Sequence, residues 1–268
     1  PPGAGRGLMR YTSLGSGSEG NALVVEATEG ASTTRIMIDC GFGLREIERR
    51  LLARGLEPGS LSGILVTHEH GDHIGGVFKL ARKHNVPVFL TTGTHAAVAH
   101  KIPDGMWVVR CDSHIPFGIG ALQILPFPVP HDAREPVQFV MTDGARRLGV
   151  LTDLGEGTPH VHRMLSGCDA LVLECNHCPD LLAESAYPYS LKMRISGRLG
   201  HLSNSAAAAV LKAVDRSRLK RVHAAHLSKQ NNAPILAQMA LAPILGWLPE
   251  EVGIADQSEG FDWEVIGG

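Results

Sequence analysis

Short apolar runs alternate with amphipathic stretches along almost the whole chain. Met9–Leu14, Asn21–Ala27 and Arg35–Asp39 are β-branched or alternating runs punctuated by Gly and Ser, and they predict strands. Leu44–Arg54 has helical spacing, Gly63–Thr67 reads as a buried strand, and Asp72–His84 predicts a helix. Strands are expected at Val86–Leu90, Met106–Cys111, Leu122–Val129, Val137–Thr142 and Arg147–Leu151, then a helix at Thr158–Leu165 and a buried strand at Ala170–Glu174. Ser203–Val214 is Ala-rich and helical, with Ser203 or Asn204 as N-cap; Arg221–Ala225 reads as a strand and Ala233–Leu241 as a helix. Hairpin patterns run through both halves, which argues against a purely parallel, doubly wound sheet. Two sheets face to face with helices outside fit better. No repeat, low-complexity tract or linker interrupts the pattern. The expectation is one α/β domain over 9–268, with Pro1–Leu8 set aside as a tag or disordered leader.

Composition narrows the classes. With 268 residues, 44% hydrophobic and 19% charged, the chain can bury a real core. No apolar run reaches the roughly 18 residues of a membrane span. Pro1–Leu8 has no apolar segment of a secretory signal. Five cysteines are too few for a disulfide scaffold in a chain of this length, so the expected compartment is the cytoplasm. A net charge of −2 excludes a globally basic nucleic-acid coat, and any phosphate contact has to be local. The unusual count is 14 histidines, and histidine is the commonest metal ligand and acid–base group.

Two weaker motifs read as structural. Gly15-Ser-Gly-Ser-Glu-Gly20 matches a dinucleotide fingerprint, but a strand rather than a helix follows it, so a glycine hairpin that lets backbone approach a ligand is expected. Cys175 and Cys178 form half of a zinc knuckle, and Cys40, Cys111 and Cys168 supply no second pair.

The strong motif is Thr67-His68-Glu69-His70-Gly71-Asp72-His73. Four potential ligands lie between a buried strand and a helix. In an extended turn His68 and His70 point the same way, while Asp72 and His73 open the helix and face a second point nearby. One segment thereby offers ligands to two adjacent cations.

This segment resembles the signature of the metallo-β-lactamase fold, which implies a four-layer αββα sandwich. The resemblance carries the remaining ligands to His131 in Pro130-His131-Asp132, to a bridging Asp153 in Gly149-Val-Leu-Thr-Asp153, and to His226 in Ala225-His226-Leu-Ser. It implies one site of His68, His70 and His131, a second of Asp72, His73 and His226, and Asp153 between them. Imidazole and carboxylate donors suit two divalent ions, Zn²⁺ or Mn²⁺. Asp39, at a strand end, is a reasonable partner behind the ligands, as is His177.

Spacing removes several branches of that superfamily. The stretch from Asp153 to His226 is too short for an inserted nuclease domain, residues 227–268 are too few for an added helical substrate domain, and no long grasping insertion is visible. Ser13–Asn21, Leu65–His73, Glu174–His177, Tyr187–Ser190, Gly200–Asn204 and Ala225–Asn232 occur in one order, and together they closely resemble the YycJ/WalJ group of cytoplasmic bacterial hydrolases. The resemblance covers essentially Met9 to the C-terminal region; Cys178 departs from it, where a more polar residue is expected. It implies a 5′→3′ exonuclease acting on DNA, single strands preferred, with a metal-bridging hydroxide attacking phosphorus in line. Asp72, His201 and Glu174 are the expected catalytic groups: His201 protonates the leaving oxygen and Glu174 holds its other nitrogen.

Substrate contact is expected from Lys192, Arg194 and Arg198 with Tyr187 and Tyr189 beside them, since cations with aromatic faces suit a single strand. Ser203, Asn204, Ser228, Asn231 and Asn232 are further expected hydrogen-bonding groups. Two alternatives stand beside the exonuclease: a phosphodiesterase of cyclic or alkyl phosphate esters, and a non-enzymatic signalling partner that keeps the fold. A DNA enzyme needs an open positive track and the first alternative a closed pocket, and lost ligands would mark the second.

Overall fold

The computed structural model describes residues 7–267. Fourteen strands are formed among the described residues: β1 (Met9–Gly15), β2 (Ala22–Glu29), β3 (Ser32–Ile38), β4 (Gly63–Leu65), β5 (Val88–Thr91), β6 (Val108–Cys111), β7 (Phe117–Ile119), β8 (Leu122–Pro128), β9 (Val137–Thr142), β10 (Arg147–Leu151), β11 (Ala170–Glu174), β12 (Arg221–Ala225), β13 (Gly253–Ile254) and β14 (Phe261–Val265). They make two seven-stranded sheets, β14-β1-β2-β3-β4-β5-β6 and β13-β12-β11-β10-β9-β8-β7. Each sheet is antiparallel at one end and parallel at the other, β3 to β6 in the first and β10 to β13 in the second.

Side-chain alternation explains the layers. In β3, Ile36 and Ile38 face the opposite sheet while Met37 packs under helices; in β11, Ala170 and Val172 face inward while Leu171 and Leu173 face helices. Strands buried on both faces read as unbroken apolar runs. Three cores result. Tyr11, Val25, Leu65, Phe139 and Met141 lie between the sheets. Helices α1 (Leu44–Ala53), α2 (Gly71–Ile74), α3 (Val77–His84) and α4 (Thr92–Val98) adjoin the first sheet, with Ile47, Leu51, Val77 and Leu80 in its outer core. Helices α5 (Pro159–Leu165), α6 (Pro179–Glu184), α7 (Tyr189–Ile195), α8 (Asn204–Ala213) and α9 (Pro234–Leu245) follow, and α5, α8 and α9 bury Val161, Val210 and Leu241 against the second sheet. This is the expected αββα sandwich.

Several expectations need correction. The helix expected over Asp72–His84 is two helices, broken at Gly75 and Gly76. A Cβ on Gly76 would stand 1.9 Å from the Phe42 carbonyl oxygen, and its N–H donates to Cys40 O at 2.7 Å, so tight packing on that loop turns the chain. Helices α4, α6 and α7 and strands β7 and β13 were not expected; each is short, which leaves little periodicity to read. Ser203 is the N-cap of α8, its Oγ accepting from Ala206 N at 3.1 Å. Of the expected leader, Pro1–Arg6 lie outside the described residues, but Leu8 exchanges backbone and side-chain hydrogen bonds with Thr28 and continues the pairing of β1 with β2.

Candidate active site

The carboxyl ends of β3, β4, β8, β10, β11 and β12 converge on one rim of the sandwich. Asp39, Asp153 and His226 follow these strands in the left-handed region, with φ of 59°, 56° and 55°. That conformation costs on the order of 1–3 kcal/mol for a residue with a Cβ. It turns the chain sharply at the strand end, which throws each side chain across the rim. The ligand loop is fixed from behind: Asn21 N donates to Asp72 O at 2.8 Å, Cys40 N to His73 O at 2.7 Å, and Gly41 N to Asn21 O at 3.0 Å. A Cβ on Gly41 would overlap Asp72 O at 1.9 Å, so only glycine admits this approach.

The expected ligands come together in two clusters. His68, His70 and His131 each place one ligand atom within 4.8 Å of the others, and so do Asp72, His73 and His226. Asp153 lies between: its Oδ2 is 2.5 Å from His73 Nε2, and its Oδ1 is 3.6 Å from His226 Nε2 and 4.0 Å from His131 Nε2. The ring nitrogens that face away are each occupied. His68 Nδ1 meets Thr67 Oγ1 at 2.9 Å, His131 Nδ1 meets Gly200 O at 3.0 Å, His73 Nδ1 meets Asp39 Oδ2 at 2.8 Å, and His70 Nε2 meets Asp132 O at 3.2 Å. Asp39 holds two ligands at once, because its Oδ2 also accepts from Thr67 Oγ1 at 2.7 Å and its Oδ1 from Thr67 N at 2.8 Å. Such backing fixes each ring's tautomer and aims the other nitrogen inward.

His68 supplies the test of fit for a metal. Its ring is fully buried, yet Nε2 has no hydrogen-bond partner. A buried polar atom without a partner is costly. A cation at the cluster removes that cost, and imidazole with carboxylate donors is a set that Zn²⁺ and Mn²⁺ both accept. The residues therefore fit the group.

Charge follows the same division. Burial pushes the His68 and His131 rings down from the usual histidine value, leaving them neutral with a free lone pair. Burial also opposes charge on His73 and His226, but Asp153 and neighbouring carboxylates overrule it: His73 is held well above the usual value and His226 is raised to about 9. At pH 7.5 the metal-free protein should carry protons on both rings. Loading then has to expel about two protons, and affinity should rise with pH up to about 9. Calorimetric titration with Zn²⁺ in buffers of different ionisation enthalpy reads the proton count directly; no release would overturn this charge state.

Beside the clusters, His201 Nδ1 lies 2.7 Å from Glu174 Oε1 and 3.0 Å from Asp153 Oδ1. Burial opposes its charge, but Glu174 and Asp153 raise it well above the usual range. Glu174 is fully buried at the end of β11, and its Oε2 accepts from Leu154 N at 2.7 Å and Leu202 N at 3.2 Å. Burial opposes charge on this carboxyl, but His201 and then His226 hold it below the usual range.

These groups open into a cleft of about 400 Å³, lined by His70, Asp72, Asp153, His201 and His226 on one side and by Tyr187, Leu191, Arg194 and Ile195 on the other. The expected substrate contacts divide. Tyr187, Arg194 and Ser228 line the cleft; Tyr189, Lys192 and Arg198 do not. Arg194 pairs with Asp132 Oδ2 at 2.8 Å, Arg198 pairs with Glu156 at 2.6 Å, and Lys192 Nζ donates to Ala183 O at 2.6 Å. A continuous positive track through α7 and the turn after it is therefore not formed, because Asp132 and Glu156 take up Arg194 and Arg198 and Lys192 turns back onto α6. Asn204 and Asn232 bond to each other at 2.8 and 2.9 Å, Asn231 is buried, and Ser203 is spent as a cap, so these four serve the loop structure. The side chain of His177 is buried, and burial lowers its pKa to about 4.

Sequence reasoning passed over Thr67, Asn21, Ser16 and Asn176. Asn176 Nδ2 donates to His226 O at 3.0 Å, Ser16 Oγ accepts from His226 N at 3.0 Å, and Asn21 Nδ2 lies 3.2 Å from His73 Nε2. The glycine hairpin thus braces the backbone of His226 and lies against the ring of His73. The available signal was the polar Ser and Asn positions inside otherwise apolar surroundings.

Comparison with known proteins agrees with this geometry. Residues 34–224 match the Beta-lactamase superfamily domain. The chain is 33% identical over 243 residues to "Exodeoxyribonuclease YycJ" of Bacillus anthracis, covering 88% of this chain and 89% of that protein. It is 31% identical over 263 residues to "Exodeoxyribonuclease WalJ" of Streptococcus pneumoniae, covering 96% and 93%. Among solved structures, the metallo-β-lactamase fold protein YhfI from Bacillus subtilis superposes with a TM-score of 0.72 at 15% identity, covering 96% of this chain and 99% of that one.

Proposed function

Since the chain belongs to the β-lactamase superfamily, in the group of the YycJ and WalJ exodeoxyribonucleases, we propose that it is an exonuclease that degrades DNA 5′→3′ and prefers single strands. The hydrolase fold and the divalent metal come with the family. The DNA substrate, the polarity and a count of two ions are the proposal. The observation that carries the phosphodiester chemistry is the pairing of His201 with Glu174 beside the two ligand clusters, and likeness to the two exodeoxyribonucleases supports DNA as the substrate.

In this reading His68, His70 and His131 would hold one ion and Asp72, His73 and His226 a second, with Asp153 placed between the two clusters. When bound, the ions acidify water at neutral pH and offset charge on the phosphoryl oxygens. The chain's own part is proton delivery and shape. Glu174 takes the Nδ1 hydrogen of His201, which leaves Nε2 to hand a proton to the leaving oxygen. The raised pKa keeps that proton in place at neutral pH. Tyr187, Leu191 and Ile195 wall the cleft opposite these groups.

The test is digestion of DNA labelled at either end, single- and double-stranded, with RNA beside it, after adding Zn²⁺ or Mn²⁺ to metal-free protein. Mononucleotides released first from the 5′ end of single-stranded DNA are the expected result. Turnover of small phosphodiesters with no cutting of any strand would replace the exonuclease by a small-ester phosphodiesterase.

A further inference from the structure

A second depression adjoins the catalytic cleft, and Gly71 of the ligand loop lines both. Its volume is about 420 Å³, similar to that of the cleft. Its lining includes Ile74, Phe78 and Pro103, with Lys79, Arg82 and Lys101, and no acidic side chain. Ile74 and Phe78 are almost fully buried, so they form a floor, whereas the three cations are exposed at the rim. Lys79 and Arg82 stand three residues apart on α3, which places them on neighbouring positions of one helix face. Lys101 comes from the short 3₁₀ turn after α4.

The contrast with α7 is chemical. Arg194 and Arg198 are each neutralised by a carboxylate, and Lys83, next to Arg82, is paired with Glu48 at 2.7 Å. Among the described residues, Lys79, Arg82 and Lys101 have no acidic partner. Three uncompensated cations over an apolar floor offer phosphate contacts and a surface for base and sugar faces at once. The shared Gly71 sets the groove directly beside the groups that would act on the scissile phosphate.

We infer that this groove between α3 and the turn at Lys101 is the track for the single DNA strand beyond the scissile phosphate. The inference rests on the exonuclease reading. It moves the nucleic-acid contact from α7, where Arg194 is paired with Asp132 and Lys192 is turned onto the α6 backbone, to the opposite side of the ligand loop.

The experiment compares the full chain, metal-loaded, with the triple variant Lys79→Ala, Arg82→Ala, Lys101→Ala. Binding is read by fluorescence anisotropy on a nuclease-resistant phosphorothioate single strand across a salt series, and catalysis on bis(p-nitrophenyl) phosphate. Three lost phosphate contacts should weaken binding at least about tenfold at low salt and flatten the log–log salt slope by about 2, since each contact to a single strand contributes about 0.7. Turnover of the small diester should stay within about twofold, as the cleft itself is untouched. Each single substitution should flatten the slope by about 0.7, a graded result that a misfolded variant does not give. A triple variant that binds the strand as the unsubstituted protein does would overturn the track and leave the exonuclease reading standing. An equal loss on the small diester would also overturn it, by placing these residues in the catalytic cleft. Unsubstituted protein that turns over the diester but binds no strand would bring down the exonuclease reading, and the track with it.

Discussion

His68→Ala should abolish hydrolysis of every phosphodiester the protein accepts while leaving a folded chain. His68 is the ligand with the fewest other duties: its ring is buried, Nδ1 rests on Thr67, and Nε2 has no protein partner. Removing it leaves His70 and His131 as the only nitrogens of the first cluster. Changing a group one step behind a ligand typically costs about 10–100-fold in metal affinity or activity. Loss of the ligand itself should exceed that, and Thr67→Val, which keeps the ligand but removes the hydroxyl between His68 and Asp39, should fall within it. Metal analysis and circular dichroism on the same samples check the claim. Full metal content with full activity in His68→Ala would remove His68 from the site, and at most one ion in the loaded, unsubstituted protein would remove the dinuclear reading.

The second large effect separates proton delivery from metal binding. General acid catalysis contributes about 10²–10⁴-fold, so His201→Ala should slow DNA hydrolysis by that factor with metal content unchanged. The loss should shrink on a diester with a nitrophenolate leaving group, because that group departs without a proton. His226→Ala should instead damage both substrates and lose metal. The competing assignment is specific: Asp153, Glu174, His201 and His226 also bring one ligand atom each within 4.8 Å of one another. If His201→Ala lost an ion, or slowed both substrates equally, His201 would be a ligand or a structural residue. Glu174→Gln offers an independent reading. It should lower the pKa of His201 and shift the acidic-to-basic fall of the DNA rate to lower pH, since the carboxylate is what holds the imidazolium proton against burial.

Local pattern determined a large part of this protein. The period-two alternation of the central strands fixed which residues face which layer. The His68–His73 segment announced its chemistry because those ligands are neighbours in the chain, so their spacing survives in the sequence. His131, Asp153 and His226 were legible only through their order at strand ends and a family resemblance, as nothing local distinguishes them from ordinary polar residues. Other features needed the closed sandwich. Asp39 reaches both Thr67 and His73 because β3 and β4 pair side by side. The break at Gly75–Gly76 follows from packing on the loop at Cys40–Phe42. Which cations are free also lay outside the sequence: Arg194 and Arg198 read as a track until Asp132 and Glu156 arrive beside them, while Lys79, Arg82 and Lys101 carry no signal in the sequence and meet only where the groove forms. A side chain's chemistry is a property of its residue type, but its charge balance and its free lone pairs depend on which distant groups the fold brings within a few ångströms, and only the tertiary structure sets those distances.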